Sequence, residues 1–192
     1  MRELVEMSGS LDGVSIGTML FPAIASPDDT YLEMWTLAEE KGIAVHTIGA
    51  GDVITEREAK LECLYPQKGT YTEDKNNSST VLKLSYGEFS MLLTGDLGFD
   101  GEKDLLAWEM LEDVDVWKVS HHGSKYSGSE EFLETILPNV GLISVGRNYY
   151  GHPSEELLER LENSGSSVWT TLESGAIMLE SDGKNYRLRW QR

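Results

Sequence analysis

The sequence predicts one α/β domain in which strands of both directions share sheets. Short apolar runs of strand length alternate with amphipathic segments of helix length. A hairpin signal, Gly87-Glu88 between two apolar runs, adds antiparallel pairing to the parallel pairing that strand–helix–strand units favour. The length of 192 residues suits a single domain over residues 1–192, and the chain has no internal repeat or low-complexity tract.

The first third of the chain predicts a strand–helix–strand unit. The segment Ser26-Pro27-Asp28-Asp29 has the pattern of a helix start, with Ser26 as the N-cap, proline in the first turn and acids at the positive helix end. This helix is expected to run to Lys41 and to stop at Gly42. The neighbouring predictions are a short helix at 2–7 and strands at 16–21, 43–48, 52–54 and 59–65.

The rest of the chain continues the alternation after a polar loop at 67–77. The predicted helices cover 101–112, 129–136 and 153–163. The predicted strands cover 80–86, 89–94, 114–119, 140–145, 167–171, 175–180 and 186–190.

Composition limits the classes of function. The chain has 16 basic and 33 acidic residues, and its net charge of −17 counts against a general nucleic-acid binder. That charge leaves room for a local site in which metal ions neutralise a phosphate. Cys63 is the single cysteine, so neither an internal disulfide nor a thiolate metal site can form. No apolar stretch approaches the roughly 20 residues of a membrane span, and the N-terminus has no signal-peptide core. As written, the chain is expected to be soluble and cytoplasmic.

Side chains that can bind metals follow three of the predicted strands. Asp96 comes after strand 89–94, and His121 and His122 come after strand 114–119. His152 lies in a Gly-His-Pro turn before a predicted helix. Because strand side chains alternate, at most one of the paired histidines faces a given site while the strand lasts, and the other can orient a ligand by hydrogen bonding. The alternatives are a turn aspartate and histidines of purely structural role.

The motifs that surround these residues resemble one family. They are the runs Lys118-Val119-Ser120-His121-His122-Gly123-Ser124-Lys125 and Ser144-Val145-Gly146-Arg147-Asn148, followed by Tyr150-Gly151-His152-Pro153. They resemble the metallo-β-lactamase fold family and, more narrowly, the C-terminal hydrolase-like domain of ComEC-type DNA-uptake (competence) proteins. The resemblance extends from about residue 17 to residue 177 and is strongest after residue 76. It implies a partial αββα sandwich with mixed β-sheets.

The resemblance also implies roles for the candidate residues. Asp96 corresponds to a metal-bridging aspartate, His152 to a late histidine ligand, and His121 and His122 to a paired-histidine motif at the same catalytic site. The cofactor implied is a divalent metal, zinc or manganese, with two ions in the intact family. The implied reaction is hydrolysis of single-stranded or double-stranded DNA or of another phosphodiester. The candidate substrate-binding residues in these motifs are Ser124, Lys125, Arg147 and Asn148.

One departure from the family pattern changes the expectation. The chain has no H-x-H-x-D-H run, so most ligands of both metals are absent and one weakly bound ion or none is expected. The first interpretation is an N-terminally incomplete hydrolase domain that needs the missing N-terminal half, or a membrane channel domain, as partner. The second is a non-catalytic, metal-poor binding module, and the third is a single-metal hydrolase. The first also predicts an exposed sheet edge through which a homodimer forms.

Overall fold

The computed structural model describes residues 15–25 and 28–191. The helix predicted at 2–7 lies outside the described residues. Within them, the chain forms a seven-stranded mixed sheet and two sheets of two strands each, with helices between the strands. The predicted α/β class with mixed strand directions is therefore confirmed.

The chain enters the described region through a strand–helix–strand unit. Its elements are β1 (Thr18–Pro22), α1 (Asp29–Glu40) and β2 (Ala44–Ile48), and the two strands pair in parallel. The predicted N-cap was wrong: Asp28 caps α1, because its carboxylate accepts the Tyr31 N–H at 2.8 Å. The helix ends one residue before Lys41, and Gly42 then takes a left-handed φ of 70°.

The large sheet follows chain order from edge to edge. Its strands are β3 (Val53–Glu56), β4 (Ala59–Tyr65), β5 (Val81–Tyr86), β6 (Phe89–Leu93), β7 (Val116–Lys118), β8 (Val140–Ile143) and β9 (Ser167–Thr170). The pairs from β3 to β6 are antiparallel, whereas the pairs from β6 to β9 are parallel. The parallel half therefore directs the carboxyl ends of β6, β7 and β8 to one edge of the sheet.

Three of the remaining helices connect the parallel strands, and the fourth, a single turn, leads from β9 to the next strand. They are α2 (Phe99–Ala107), α3 (Glu130–Ile136), α4 (Glu155–Asn163) and the single turn α5 (Thr171–Ser174). The helix predicted over 101–112 starts two residues earlier and stops five residues earlier, since Trp108 caps it and Glu109 turns left-handed. The helix predicted from residue 153 begins at Glu155, where the Ser154 hydroxyl accepts the Leu157 N–H. Strands β7 and β8 are also shorter than predicted.

Apolar side chains cover both faces of the large sheet. On one face Trp117 packs with the helices through Phe132, Leu157 and their neighbours. On the other face Val116 packs below a hairpin formed by β10 (Ala176–Ser181) and β11 (Tyr186–Gln191). The side chains of adjacent residues in β7 thus pack on opposite faces of the sheet. The large sheet thus lies between a layer of helices and the two-stranded hairpin. None of the helices in the described part of the chain has the length and apolarity to cross a membrane.

Strand β3 forms one edge of the large sheet, and all four of its residues are exposed. We expect concentration-dependent dimers that pair through this edge, because open ladder groups and the apolar Val53 and Ile54 are both accessible. Light scattering should detect them, and Ile54→Lys should shift the mass to that of the monomer. Ile54→Val is the matched control that should keep the dimer. A monomeric wild type, or a dimeric lysine variant, would contradict the prediction.

Candidate functional site

The candidate site lies at the carboxyl ends of β6, β7 and β8. Asp96 follows β6, the paired histidines follow β7, and the loop that carries His152 follows β8. Because these strands run in parallel side by side, their carboxyl ends bring the three segments together at one edge. Open α/β sheets bind their ligands at such edges.

The turn after β6 holds Asp96 against the loop that precedes β5. The Asp96 N–H donates to the Ser79 hydroxyl at 3.0 Å, and Gly95 has a left-handed φ of 56°. A Cβ atom on Gly95 would lie 3.0 Å from the Ser79 Cβ, so this close approach requires glycine. The carboxylate of Asp96 remains about half exposed and faces the open edge.

The paired histidines lie in a left-handed turn and not on a strand. Strand β7 ends at Lys118, and His121 and His122 have φ values of 47° and 55°. The alternation expected for a strand therefore does not apply to them. The His121 N–H donates to the Gly95 carbonyl at 3.0 Å, so the turn is tied directly to the Asp96 segment. Two adjacent non-glycine residues with left-handed backbone angles store backbone strain, and such strain often marks a functional site.

The two imidazoles have different surroundings. Nδ1 of His122 lies 2.7 Å from the Ser144 carbonyl, which fixes the ring so that Nε2 stands 3.9 Å from the Asp96 carboxylate. The His121 ring instead packs edge-on against the His152 ring, with centroids 5.6 Å apart. The structure thus brings both histidines to the site, and His122 is the one that faces Asp96.

Asn148 shapes the loop that presents His152. Its Oδ1 accepts the N–H groups of Tyr150 and His152 at 3.0 and 3.1 Å. Its Nδ2 donates to the carbonyls of His152 and Gly146 at 2.7 and 2.9 Å. The next peptide bond, to Pro153, is cis. Asn148 was predicted to bind substrate, but in this structure its amide is fully used in holding the loop.

His152 is poised as a neutral imidazole. Its Nδ1 is buried and has no hydrogen-bond partner among residues 15–25 and 28–191. Burial lowers the pKa of His152, and the neighbouring His121 and His122 lower it further. A buried ring nitrogen without a partner is unusual, since such groups are nearly always paired. This nitrogen is therefore available to a group that the described residues do not supply.

The other predicted substrate-binding residues differ in how far their side chains are exposed to solvent. Ser124 is buried and accepts the Tyr126 N–H at 3.3 Å, so it braces the loop. Lys125 is exposed, with its ammonium 5.2 Å from the centre of the Tyr126 ring. Arg147 is exposed and lines a cavity of about 430 Å³ together with His122 and His152.

Sequence reasoning missed the hydroxyl network below the site. Thr94 Oγ1 accepts from Trp117 Nε1 at 3.0 Å and from the Ser120 hydroxyl at 2.6 Å, and it donates to the Lys118 carbonyl at 3.1 Å. This network joins the ends of β6 and β7 immediately below Asp96 and the histidine turn. Neighbouring Lys118 is partly buried, and this burial lowers its pKa, while the charge of Asp96 acts in the opposite direction. No local sequence signal identifies these partners.

The described residues do not fit a complete metal centre. Within 15–25 and 28–191, no group of three or more His, Cys, Asp or Glu side chains is arranged to hold a metal ion. A catalytic zinc ion requires three protein ligands and an open position. Asp96, His122 and His152 border one site, but they do not converge on one point in this structure.

Comparison with known proteins identifies relatives among competence proteins. No protein-family profile matches the chain. It is 37% identical over 141 residues to ComE operon protein 3 of Bacillus subtilis (strain 168), which is 73% of this chain and 18% of that protein. It is 37% identical over 107 residues to Recombination protein 2 of Haemophilus influenzae, covering 55% of this chain and 13% of that protein. It is 35% identical over 108 residues to Competence protein ComA of Neisseria gonorrhoeae, covering 54% of this chain and 15% of that protein. The chain thus spans less than a fifth of each relative.

Comparison with solved structures concerns the fold alone. CmlA, a diiron β-hydroxylase from Streptomyces venezuelae, superposes with a TM-score of 0.54 at 13% identity, over 90% of this chain and 40% of that one. A metallo-β-lactamase superfamily protein from Thermotoga maritima aligns over 78% of this chain and 76% of its own length, with a TM-score of 0.38 at 14% identity. The mixed sheet with its polar strand-end site defines an α/β domain with strands of both directions. Over the matched segment, the chain belongs to the ComEC family of competence proteins.

Proposed function

We propose that this chain supplies one part of a metal-dependent phosphodiester-hydrolysing site of the ComEC type, and that residues outside the chain complete it. The observation that carries the proposal is a cluster at the carboxyl ends of the parallel strands. His122 stands 3.9 Å from the Asp96 carboxylate and lines one cavity with His152, yet the described residues contain no group of three side chains that holds a metal ion. The similarity to competence proteins supports DNA as the phosphodiester. Zinc or manganese is the proposed cofactor of the completed site.

The chain's own residues account for binding and orientation in this proposal. The Ser144 carbonyl orients His122, and Asn148 holds the backbone of His152. Burial lowers the pKa of His152 and so favours its neutral imidazole, which can accept a proton or a ligand bond. Arg147 lines the cavity that also contains His122 and His152, and the geometry of its guanidinium suits hydrogen bonding to a phosphate group.

A second candidate is a non-catalytic binding module of the same fold. It is favoured by the finding that the part of the chain covered by the structure contains no three-residue ligand group. In that case Asp96 and the histidines bind a nucleotide or a partner protein without metal chemistry. Binding and hydrolysis must therefore be measured separately.

Metal binding tests the proposal directly. We expect calorimetric titration of the purified chain with Zn²⁺ or Mn²⁺ to show weak binding of one ion or none, because fewer than three ligands converge. Adding the segment that precedes the matched region in the Bacillus subtilis relative should produce tight binding of the metal ion. The completed protein should then hydrolyse a phosphodiester substrate. Asp96→Ala and His152→Ala should each abolish that gain. His46→Ala, at an exposed histidine of β2, is the matched control and should retain it.

Two outcomes would overturn this proposal. Tight stoichiometric binding to the chain alone would establish a self-sufficient site and refute the need for outside ligands. Absence of both binding and hydrolysis after the segment is added would favour the non-catalytic module, provided that circular dichroism shows a folded chain.

A further inference from the structure

Three tyrosines beside the candidate site expose their rings to solvent. Tyr126 is 62% exposed, Tyr150 is 85% exposed and Tyr149 is fully exposed. They come from two loops, one after the histidine turn and one after β8. Large aromatic surfaces that are left outside the core and gathered in one place commonly mark an interaction site.

Tyr126 and Tyr150 both line a groove of about 860 Å³ that includes His152. The backbone at both positions is anchored before any ligand arrives. The Tyr126 carbonyl accepts the Phe99 N–H at 2.9 Å, and the Tyr150 N–H donates to Asn148. The Tyr150 ring lies 6.1 Å from the His152 ring at an interplanar angle of 26°. The rings are therefore held beside the site on fixed backbone.

Charge separates this groove from the neighbouring cavity. Glu155, Glu156 and Glu159 line the groove together with Lys125, so the carboxylates outnumber the cation and the groove on balance repels phosphate groups. The neighbouring cavity shares His152 with the groove and contains Arg147 and His122, and none of its described lining residues is a carboxylate. A nucleic-acid strand can bind to both the cavity and the groove if its phosphate lies near Arg147 and its bases enter the groove. Aromatic rings stack on any base, and carboxylates accept hydrogen bonds from the amino group of cytosine.

We propose that the groove between Tyr126 and Tyr150 binds unpaired nucleobases next to the phosphate site, so that these tyrosines select single strands over duplexes. The inference rests on the proposed function for the identity of the phosphodiester. The physical reason is that paired bases are already stacked on their neighbours and cannot offer their faces to protein rings. Each tyrosine that stacks a base is expected to improve binding about 5- to 100-fold.

The test measures binding of the full chain to three fluorescein-labelled probes by anisotropy. The probes are a deoxycytidine oligomer, an abasic oligomer of the same length and a duplex. The wild type should bind the oligomer with bases most tightly. Tyr126→Ala and Tyr150→Ala should each weaken that binding about 5- to 100-fold and leave the abasic probe unaffected. Tyr150→Phe keeps the ring, and Tyr71→Ala removes an exposed tyrosine outside the groove, so both should bind like the wild type.

Equal binding of abasic and base-bearing probes, or unchanged affinity in both alanine variants, would overturn the proposal. Failure of the wild type to bind any oligonucleotide would do the same, as would a lysine-rich peptide that binds in a Tyr150-dependent way while no oligonucleotide binds. These results are distinct from failure of the proposed function. That failure would appear as tyrosine-dependent binding of single strands with no hydrolysis in the completed protein.

Discussion

Trp117→Ala is expected to lower the free energy of unfolding by about 3–5 kcal/mol, which is a large share of the stability of a typical domain. The Trp117 side chain is completely buried and contacts the Phe132 ring edge-on, with centroids 5.5 Å apart. It also underlies Gly128, where an added Cβ would lie 2.9 Å from the indole. Removing the indole leaves a cavity directly below the loop that follows the paired histidines. Urea denaturation followed by far-ultraviolet circular dichroism measures the change.

Trp117→Phe is the matched control for this prediction. Phenylalanine keeps most of the buried area but cannot donate to Thr94 Oγ1, which still accepts from the Ser120 hydroxyl. We therefore expect a loss of about 1 kcal/mol from the hydrogen bond, with a further contribution from the smaller ring. A phenylalanine variant as unstable as the alanine variant would show that the hydrogen bond, and not packing, dominates at this position.

Glu102→Ala should cost about 2–5 kcal/mol, because two buried donors lose their acceptor. The Glu102 carboxylate is fully buried on α2 and accepts the N–H groups of Gly128 and Ser129 at 2.5 and 2.9 Å. Arg160 holds the same loop from α4 by donating to the carbonyls of Lys125, Ser127 and Gly128. One acid and one base thus fix the backbone that carries Lys125. Thermal melting measures the loss, and amide hydrogen exchange at residues 124–129 should accelerate.

Glu102 should also make stability depend on pH in a defined direction. Burial raises the pKa of Glu102 above its ordinary value of 4.5, although the N–H groups of Ser129 and Gly128 act in the opposite sense. The folded chain therefore holds this proton more tightly than the unfolded chain, and stability falls as pH rises above about 4.5. Glu102→Gln cannot ionise, so the stability of the wild type relative to this variant should decrease as pH rises above about 4.5, until Glu102 is ionised in the folded chain as well. A relative stability that increases over this range would refute the assignment.

Local sequence signals predicted most elements of the fold. Gly87-Glu88 correctly marked the turn between β5 and β6, since a hairpin needs only a short polar turn between two apolar runs. The boundaries that failed were those decided by competition among neighbouring residues. Asp28 caps α1 although Ser26 has the same propensity, and α2 stops at Ala107 although apolar residues continue the helical pattern beyond it. Contacts across the fold decide between such near-equal local alternatives.

The candidate site was predictable as a set of segments but not as a geometry. Asp96, the paired histidines and His152 each follow an apolar run, and parallel pairing of β6, β7 and β8 then gathers them. Their orientations depend on partners distant in sequence. The Ser144 carbonyl sets the His122 ring and the Gly95 carbonyl anchors the turn. Neither backbone group can be identified from the residue type.

The sequence by itself determined the order of the elements, the resemblance to ComEC-type domains and the absence of an H-x-H-x-D-H run, because these depend on residue identity and short-range periodicity. Only the tertiary structure decided which histidine faces Asp96, how Glu102 and Arg160 secure the loop between them, and where the exposed tyrosines stand relative to His152. The physical reason is that hydrogen bonds and ring contacts between residues far apart in the chain form only when the sheet sets their distances. The residue type determines which contacts are chemically possible, and the tertiary structure determines which of them form.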